Sequence, residues 1–234
     1  LFTVVDAIEP SAGDVVFAFG KDETLRALVA ALPPDVLFRG HGTGFGVAVI
    51  DASEAKESDL ARAAASVCRD VIPFDQRGCL SPRIAIVLGS PTRARVFSEM
   101  LALELTRAES VVPCGQISAD EAAESARYRD TMRYAASLFA AGPGWVGLAP
   151  VGAAPVLPPV GRHLHVMVTS DVAEALAPIS RWVTAIGVQG PRVFAERVAA
   201  VAPLARQSAL GSMQKPPFDG PVDLRRISGF SEAR

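Results

Sequence analysis

The chain has 234 residues, half of them hydrophobic but only 6% aromatic, and a net charge of −2. That length allows one large domain or two modest ones with a real core, packed chiefly by Ala, Val and Leu. The absence of a basic stripe argues against a nucleic-acid partner. The three cysteines (68, 79 and 114) lack C-x-x-C or zinc spacing and suit reduced thiols in a cytoplasmic protein.

Val15 to Phe19 is a short apolar run closed by Gly20. Asp22 to Leu32 then reads as a helix, because Leu25, Leu28, Val29 and Leu32 share one face and Pro33-Pro34 ends it. Val36 to Phe38 is a second candidate strand, followed by the glycine-rich loop Gly40-His41-Gly42-Thr43-Gly44 and a buried strand, Phe45 to Ile50. A helix from Ser58 to Ile72 leads into a small polar loop, Phe74-Asp75-Gln76-Arg77-Gly78-Cys79-Leu80-Ser81-Pro82-Arg83, and the strand Ile84 to Leu88 follows. Ser90 caps and Pro91 starts a helix to about Arg107. The capping box Ser118-Ala119-Asp120-Glu121 opens another, expected to run to about Ala140, and Gly142-Pro143-Gly144 breaks the pattern. His163 to Thr169 and Val183 to Val188 read as strands, Val172 to Ala177 and Pro191 to Val201 as helices. Strand alternating with helix predicts an α/β fold with a parallel sheet. The longest apolar stretch, Trp145 to Val160, holds prolines at 150, 155, 158 and 159, so no membrane span is expected; no secretory signal is visible either. The text opens on Leu1 rather than Met and reads as a piece of a longer protein.

Among the candidate sites, Cys68 lies on an apolar helix face and reads as a structural thiol, and Cys114 as a packing residue. Cys79 differs. Its loop is tight and polar, a loop thiol between packed elements can act as a nucleophile, and Arg77 and Arg83 would favour the thiolate. His41 is a proton donor, a hydrogen-bonding clamp or simply a satisfied surface residue. Gly40 and Gly42 mark either a turn or a backbone that must approach a ligand closely, and the strand that follows excludes the dinucleotide fingerprint. Gly20, between a strand and a helix, can face a phosphate, although Asp22 and Glu23 oppose it. His163 and His165 would share a strand face, but two ligands without a third give no metal site.

The order of these pieces resembles the aldehyde dehydrogenase superfamily. The resemblance runs through Val16-Phe17-Ala18-Phe19-Gly20, helix 22–32, Val36-Leu37-Phe38-Arg39-Gly40-His41-Gly42, Val47 to Asp51, Leu60-Ala61-Arg62-Ala63 and Gln76-Arg77-Gly78-Cys79. Within the superfamily the chain is most similar to the bacterial luminescence-type fatty-acyl-CoA reductases, through Asp75-Gln76-Arg77-Gly78-Cys79-Leu80-Ser81-Pro82 and Leu210-Gly211-Ser212-Met213-Gln214-Lys215-Pro216-Pro217.

The resemblance implies NADPH-dependent reduction of an acyl-CoA thioester to an aldehyde. Cys79 would form the acyl-enzyme, His41 would be its titratable neighbour, and Gly20, Gly40 and Gly42 would lie on the cofactor. It implies an aldehyde-dehydrogenase-like α/β fold. Residues 1–76 would be the C-terminal half of a nucleotide-binding domain, 77–210 the catalytic domain and 211–234 an extended tail, with the site in the cleft where Cys79 meets the Gly40–Gly44 loop. A homo-oligomer is expected. Arg39 stands where oxidising members carry a water-activating glutamate, which favours a reductase, since arginine is no base at neutral pH. The cofactor domain of the superfamily begins well before the Gly20 strand, so the cofactor site would be incomplete. Two alternatives stand beside the reductase: another acylating or oxidising aldehyde dehydrogenase, and a non-catalytic fragment or scaffold subunit that holds an acyl group.

Overall fold

The computed structural model describes residues 3–216. They fall into two compact units that divide between Thr43 and Gly44.

In the smaller unit, strands β1 (Val15–Phe19) and β2 (Leu37–His41) pair in parallel, joined by helix α1 (Asp22–Ala31). Gly40 and His41, expected in a loop, are strand residues opposite Ala18 and Phe19. Val15, Phe17 and Phe19 of β1 remain exposed. Two strands and one helix leave much apolar surface uncovered.

The larger unit is a seven-stranded sheet in the order β5-β6-β7-β4-β3-β8-β9. In chain order its elements are β3 (Phe45–Asp51), α2 (Glu57–Val71), β4 (Pro82–Leu88), α3 (Pro91–Glu109), α4 (Ala119–Ala135), β5 (Ser137–Ala141), β6 (Gly144–Leu148), β7 (Leu164–Thr169), α5 (Val172–Leu176), β8 (Val183–Gln189), α6 (Arg192–Val201) and β9 (Arg206–Ala209). Every pairing is parallel except β5 with β6. The domain boundary expected at residue 76 is therefore displaced. Strand β3 pairs with β4 on one side and β8 on the other, and β3 and α2 belong to the larger unit.

The central strands are apolar throughout because both faces are covered. Val47, Val49 and Ile50 of β3 and Ile84, Ile86 and Val87 of β4 have no exposed surface. One face packs Leu60, Ala64 and Val67 of α2 with Phe97 and Leu101 of α3; the other packs Val172 and Leu176 of α5 with Phe194 and Val198 of α6. Each Val, Leu or Phe among them contributes about 1.5–3 kcal/mol by burial.

Three strands, β5, β6 and β9, escaped the sequence reading. Helix α4 ends at Ala135 rather than about Ala140, because Ala136 turns extended and Ser137–Ala141 forms a hairpin with β6. Gly142, at φ 63°, makes its turn with Pro143. Strand β9 adds to the opposite edge beside β8. The expected C-terminal tail is described only as far as Pro216; Pro217 and everything after it lie outside the described residues. Among the described residues, no helix is long and apolar enough to cross a membrane.

Candidate active site

Cys79 is exposed, at the amino edge of the parallel sheet between α2 and β4. The chain reaches it through a turn, Pro73–Gln76, whose backbone is strained. Phe74, Asp75 and Gln76 all take positive φ, at 56°, 48° and 63°. For residues with a Cβ this conformation costs about 1–2 kcal/mol each. The one other non-glycine residue at positive φ among the described residues is Arg162, at 67°. It faces the same turn.

The two left-handed segments interlock. Gly161 N–H donates to the Asp75 carbonyl at 2.9 Å. Arg162, 1% exposed, sends Nε and Nη2 to Asp75 Oδ1, both at 2.8 Å, while its Nη1 donates to Glu109 Oε2 at 2.9 Å and to the Val112 carbonyl at 2.7 Å. Gly115 N–H occupies Asp75 Oδ2 at 2.9 Å. Burial alone would raise the Asp75 pKa; the Gly115 and Arg162 donors outweigh it and hold the carboxyl below its ordinary value. Gln76 Nε2 donates to the Pro82 and His163 carbonyls, and its Oε1 accepts from His163 N–H.

The far side of the loop rests on the second motif. Asp70 accepts from Gly211 N–H at 2.6 Å and Met213 N–H at 2.9 Å, and Gln214 Nε2 donates to the Asp70 carbonyl and to Ser81 Oγ, each at 3.0 Å. Burial raises the Asp70 pKa against those N–H donors. Met213, fully buried, fills a notch that two glycines leave open: a Cβ on Gly46 would lie 2.8 Å from its methyl, and one on Gly187 would lie 2.7 Å from its sulfur. A Gly46 Cβ would also strike the Leu80 carbonyl oxygen and sit 2.8 Å from the Ser81 carbonyl carbon. Gly46→Ala is therefore expected to push the Leu80–Ser81 backbone and to lower stability by about 1–3 kcal/mol in a urea titration. An unchanged midpoint would show that the loop yields freely.

The other thiols are held back. Burial, followed by the Glu104 carboxylate, pushes Cys68 up to about 11. Burial and the Asp75 carboxylate raise Cys114. Arg77 and Arg83, expected to favour the thiolate, also bond to neighbouring segments. Arg77 is forked onto Glu121 at 2.9 and 3.1 Å and reaches the Gln116 carbonyl, which ties the cysteine loop to the capping box of α4. Arg83 donates to the Pro158 carbonyl and lines a pocket of about 410 Å³ with Glu124, Arg127 and Tyr128.

His163 precedes β7, and its Nδ1 accepts from Trp145 N–H at 2.9 Å. His165, within β7, is 1% exposed, with no hydrogen-bond partner for either ring nitrogen among the described residues. No group of three or more His, Cys, Asp or Glu with metal-holding geometry occurs among the described residues.

The remaining sequence candidates lie in the smaller unit. His41 is half-buried, its ring stacked on Phe19 at 4.6 Å between centroids, and its carbonyl accepts from Gly20 N–H. Gly40 and Gly42 have packing reasons of their own: a Cβ would meet the Phe38 ring at 2.6 Å at the first and the Asp22 carboxylate at the second. Asp22 Oδ1 accepts from Thr43 N–H at 2.8 Å, so the first turn of α1 presents two carboxylates, Asp22 and Glu23, one already engaged. Like charge in this first turn weakens the helix start as a place for a phosphate.

A cavity of about 670 Å³ lies at the carboxyl edge of the sheet among Asp51, Ser53, Glu54, Gln189 and Leu210, the opposite edge from Cys79. Sequence reading named Asp75 and Gln76 as members of the cysteine motif, without their partners, and missed Asp70 and Arg162. Asp75 and Arg162 are 87 residues apart in the chain, and Asp70 and Met213 143, so no local pattern marks these pairings.

The fold matches that of aldehyde dehydrogenases. An oxidoreductase from Marinobacter aquaeolei superimposes with a TM-score of 0.70 at 15% identity, over 91% of this chain and 48% of that one. An NADP-dependent glyceraldehyde-3-phosphate dehydrogenase from Bacillus halodurans C-125, complexed with NADP, gives 0.70 at 14% identity, over 92% and 48%. In sequence, the long-chain acyl-protein thioester reductase of Aliivibrio fischeri is 31% identical over 110 residues, and long-chain acyl-protein thioester reductase 2 of Photobacterium leiognathi is 26% identical over 113 residues. Those alignments cover 47% and 48% of this chain and 22% of each relative. The chain thus spans about half the length of the solved structures and the matched segment about a fifth of the curated relatives. The family described as Acyl-CoA reductase (LuxC) matches residues 5–229, nearly the whole sequence, and the chain belongs to that family.

Proposed function

We propose that this chain carries the acyl-accepting half of an acyl thioester reductase, with Cys79 as its nucleophile. The observation that carries the proposal is the contrast among the three thiols: Cys79 alone is exposed, on a braced loop, while Cys68 and Cys114 are held back by burial and nearby carboxylates. Cys79 Sγ attacks the thioester carbonyl, the tetrahedral oxyanion collapses, and the C–S bond to the carrier breaks. The carrier leaves as a thiolate and the acyl group stays on Cys79. Backbone N–H groups around the loop are the natural donors for the oxyanion. NADPH, where bound, supplies the hydride that takes the acyl group to the aldehyde; breaking the C–Sγ bond returns the thiolate. His41, a half-buried titratable group of the smaller unit, is proposed as the proton carrier, and Gly20, Gly40 and Gly42 as cofactor neighbours within the same proposal. Arg39 in place of a water-activating base suits an acyl-enzyme that must outlive hydrolysis. The names of the relatives support a long-chain acyl-protein thioester, and the family description an acyl-CoA, as the substrate class.

The test is intact mass after mixing with palmitoyl-CoA and again after adding NADPH. The expected result is one palmitoyl adduct, absent from Cys79→Ala and discharged as aldehyde in the second step. The same adduct on Cys79→Ala refutes the site. A second reading has its own support in the exposed β1 face and in the coverage of about half the related structures. As an acyl-holding part without a complete cofactor site, the chain would form the adduct and keep it when NADPH is added.

A further inference from the structure

We propose that Gln76 is a positioning residue for Cys79: its buried amide ties the two ends of the cysteine loop together and onto the Gly161–His163 turn, and so fixes how the sulfur is presented. This rests on Cys79 being the acyl-accepting thiol.

Gln76 is 1% exposed and faces inward, so it does not touch an acyl group. Its Nε2 donates to the Pro82 carbonyl at 2.9 Å, three residues beyond the cysteine as Gln76 is three before it. The bond closes a short loop around Cys79 like a tie-rod. The same nitrogen reaches the His163 carbonyl at 2.7 Å, and Oε1 accepts from His163 N–H at 2.7 Å. One side chain therefore fastens the loop to itself and to the segment entering β7.

Closing a loop does not require strain, since a relaxed turn with a glycine would serve. Here three consecutive side-chain-bearing residues are held left-handed, and the residue opposite, Arg162, is left-handed too. Strain of this kind persists only where the surroundings over-determine it, and it gathers where function needs a fixed geometry. Asp75 is fixed by the Gly115, Arg162 and Gly161 donors. Gln76 is the next residue toward the thiol, and its amide is the bond that crosses the loop.

Gln76→Met keeps the length and volume and removes all three bonds. In the full chain, alkylation of Cys79 by iodoacetamide, followed by intact mass across a pH series, is expected to shift its midpoint by about half a unit or more. Acylation by palmitoyl-CoA, relative to alkylation in the same sample, is expected to fall about tenfold or more, because a small displacement of a nucleophile costs rate steeply. Urea titration checks that the sample is folded. If Gln76→Met does not fold, Gln76→Glu, which keeps the acceptor for His163 N–H, is read by the same two measurements. An unmoved midpoint with an unchanged acylation-to-alkylation ratio overturns the proposal. A native chain alkylated at Cys79 but never acylated refutes the acyl-enzyme instead, and the alkylation midpoint then decides the positioning role on its own.

Discussion

Arg162→Met is expected to lower the unfolding free energy by about 3–5 kcal/mol, because it breaks a buried ion pair by removing one partner. The loss would come from what is left behind rather than from attraction forgone. Asp75 Oδ1 would lose both its charged donors, Glu109 Oε2 one, and the Val112 carbonyl its N–H, in a site where Arg162 is 1% exposed. Uncompensated buried charge is among the few mechanisms that take single substitutions into this range. Domains of this size keep only about 5–15 kcal/mol in total, so the variant would lie near the edge of folding. The accompanying Asp75→Asn change should restore part of the loss by removing the stranded charge, and a double-mutant cycle in urea measures the coupling. A loss below about 1 kcal/mol in the single variant would mean that water or rearrangement satisfies Asp75, and the account of the braced turn would be wrong.

Acidification between pH 6.5 and 4 is expected to destabilise the fold by up to about 3 kcal/mol for each of His163 and His165. Burial, helped by the Arg83 charge, pulls His163 down to about 4; burial alone does the same to His165. The sign follows from the unfolded chain, where both rings titrate near about 6.5. Above that pH both states are neutral and the stability is intact. As pH falls toward 4 the unfolded chain gains protons that the folded chain refuses, and stability is lost. For His163 the refusal has a visible reason: Nδ1 accepts from Trp145 N–H and has no room for a proton of its own. Asp70 works in the opposite sense, since a carboxyl with a raised pKa takes up its proton more readily when folded. Urea midpoints at pH 7.5, 6, 5 and 4.5 measure the net slope. His165→Leu should flatten that slope while raising the stability at pH 7.5 by about 1 kcal/mol, because two ring nitrogens lack partners in the interior. A slope that His165→Leu leaves unchanged would exclude a buried neutral imidazole at that position.

The sequence made most of the core legible because burial imposes periodicity. The helix from Glu57 to Val71 and the strands Phe45–Asp51 and Val183–Gln189 carry continuous or three-four-spaced apolar residues and were readable to within a residue or two. Where the pattern misled, another constraint had taken over. Ser137–Ala141 continues an alanine-rich helical text, yet a partner strand across Gly142 claims its backbone. Arg206–Ala209 is polar because it is an edge strand, with no face that must be buried on both sides. Gly40 and His41 look like loop residues by composition, but Gly40 is small to admit the Phe38 ring. The Cys79 loop could be found by its residue types. The network that holds it could not, since Arg162 and Asp70 act on segments far along the chain and nothing in their immediate neighbours advertises the pairing.

The Met213 notch bears on how far the chain can be trimmed. A protein shortened to end at Ala209 would retain all nine strands and every helix described, and by circular dichroism it should look complete. It would nonetheless lack the methionine wedged against Gly46 and Gly187 and the amide that grips Ser81, two struts beneath the thiol. Spectroscopic integrity is therefore a poor guide to competence in this fold, and the residues just past the last strand belong with the reactive loop rather than with a dispensable terminus.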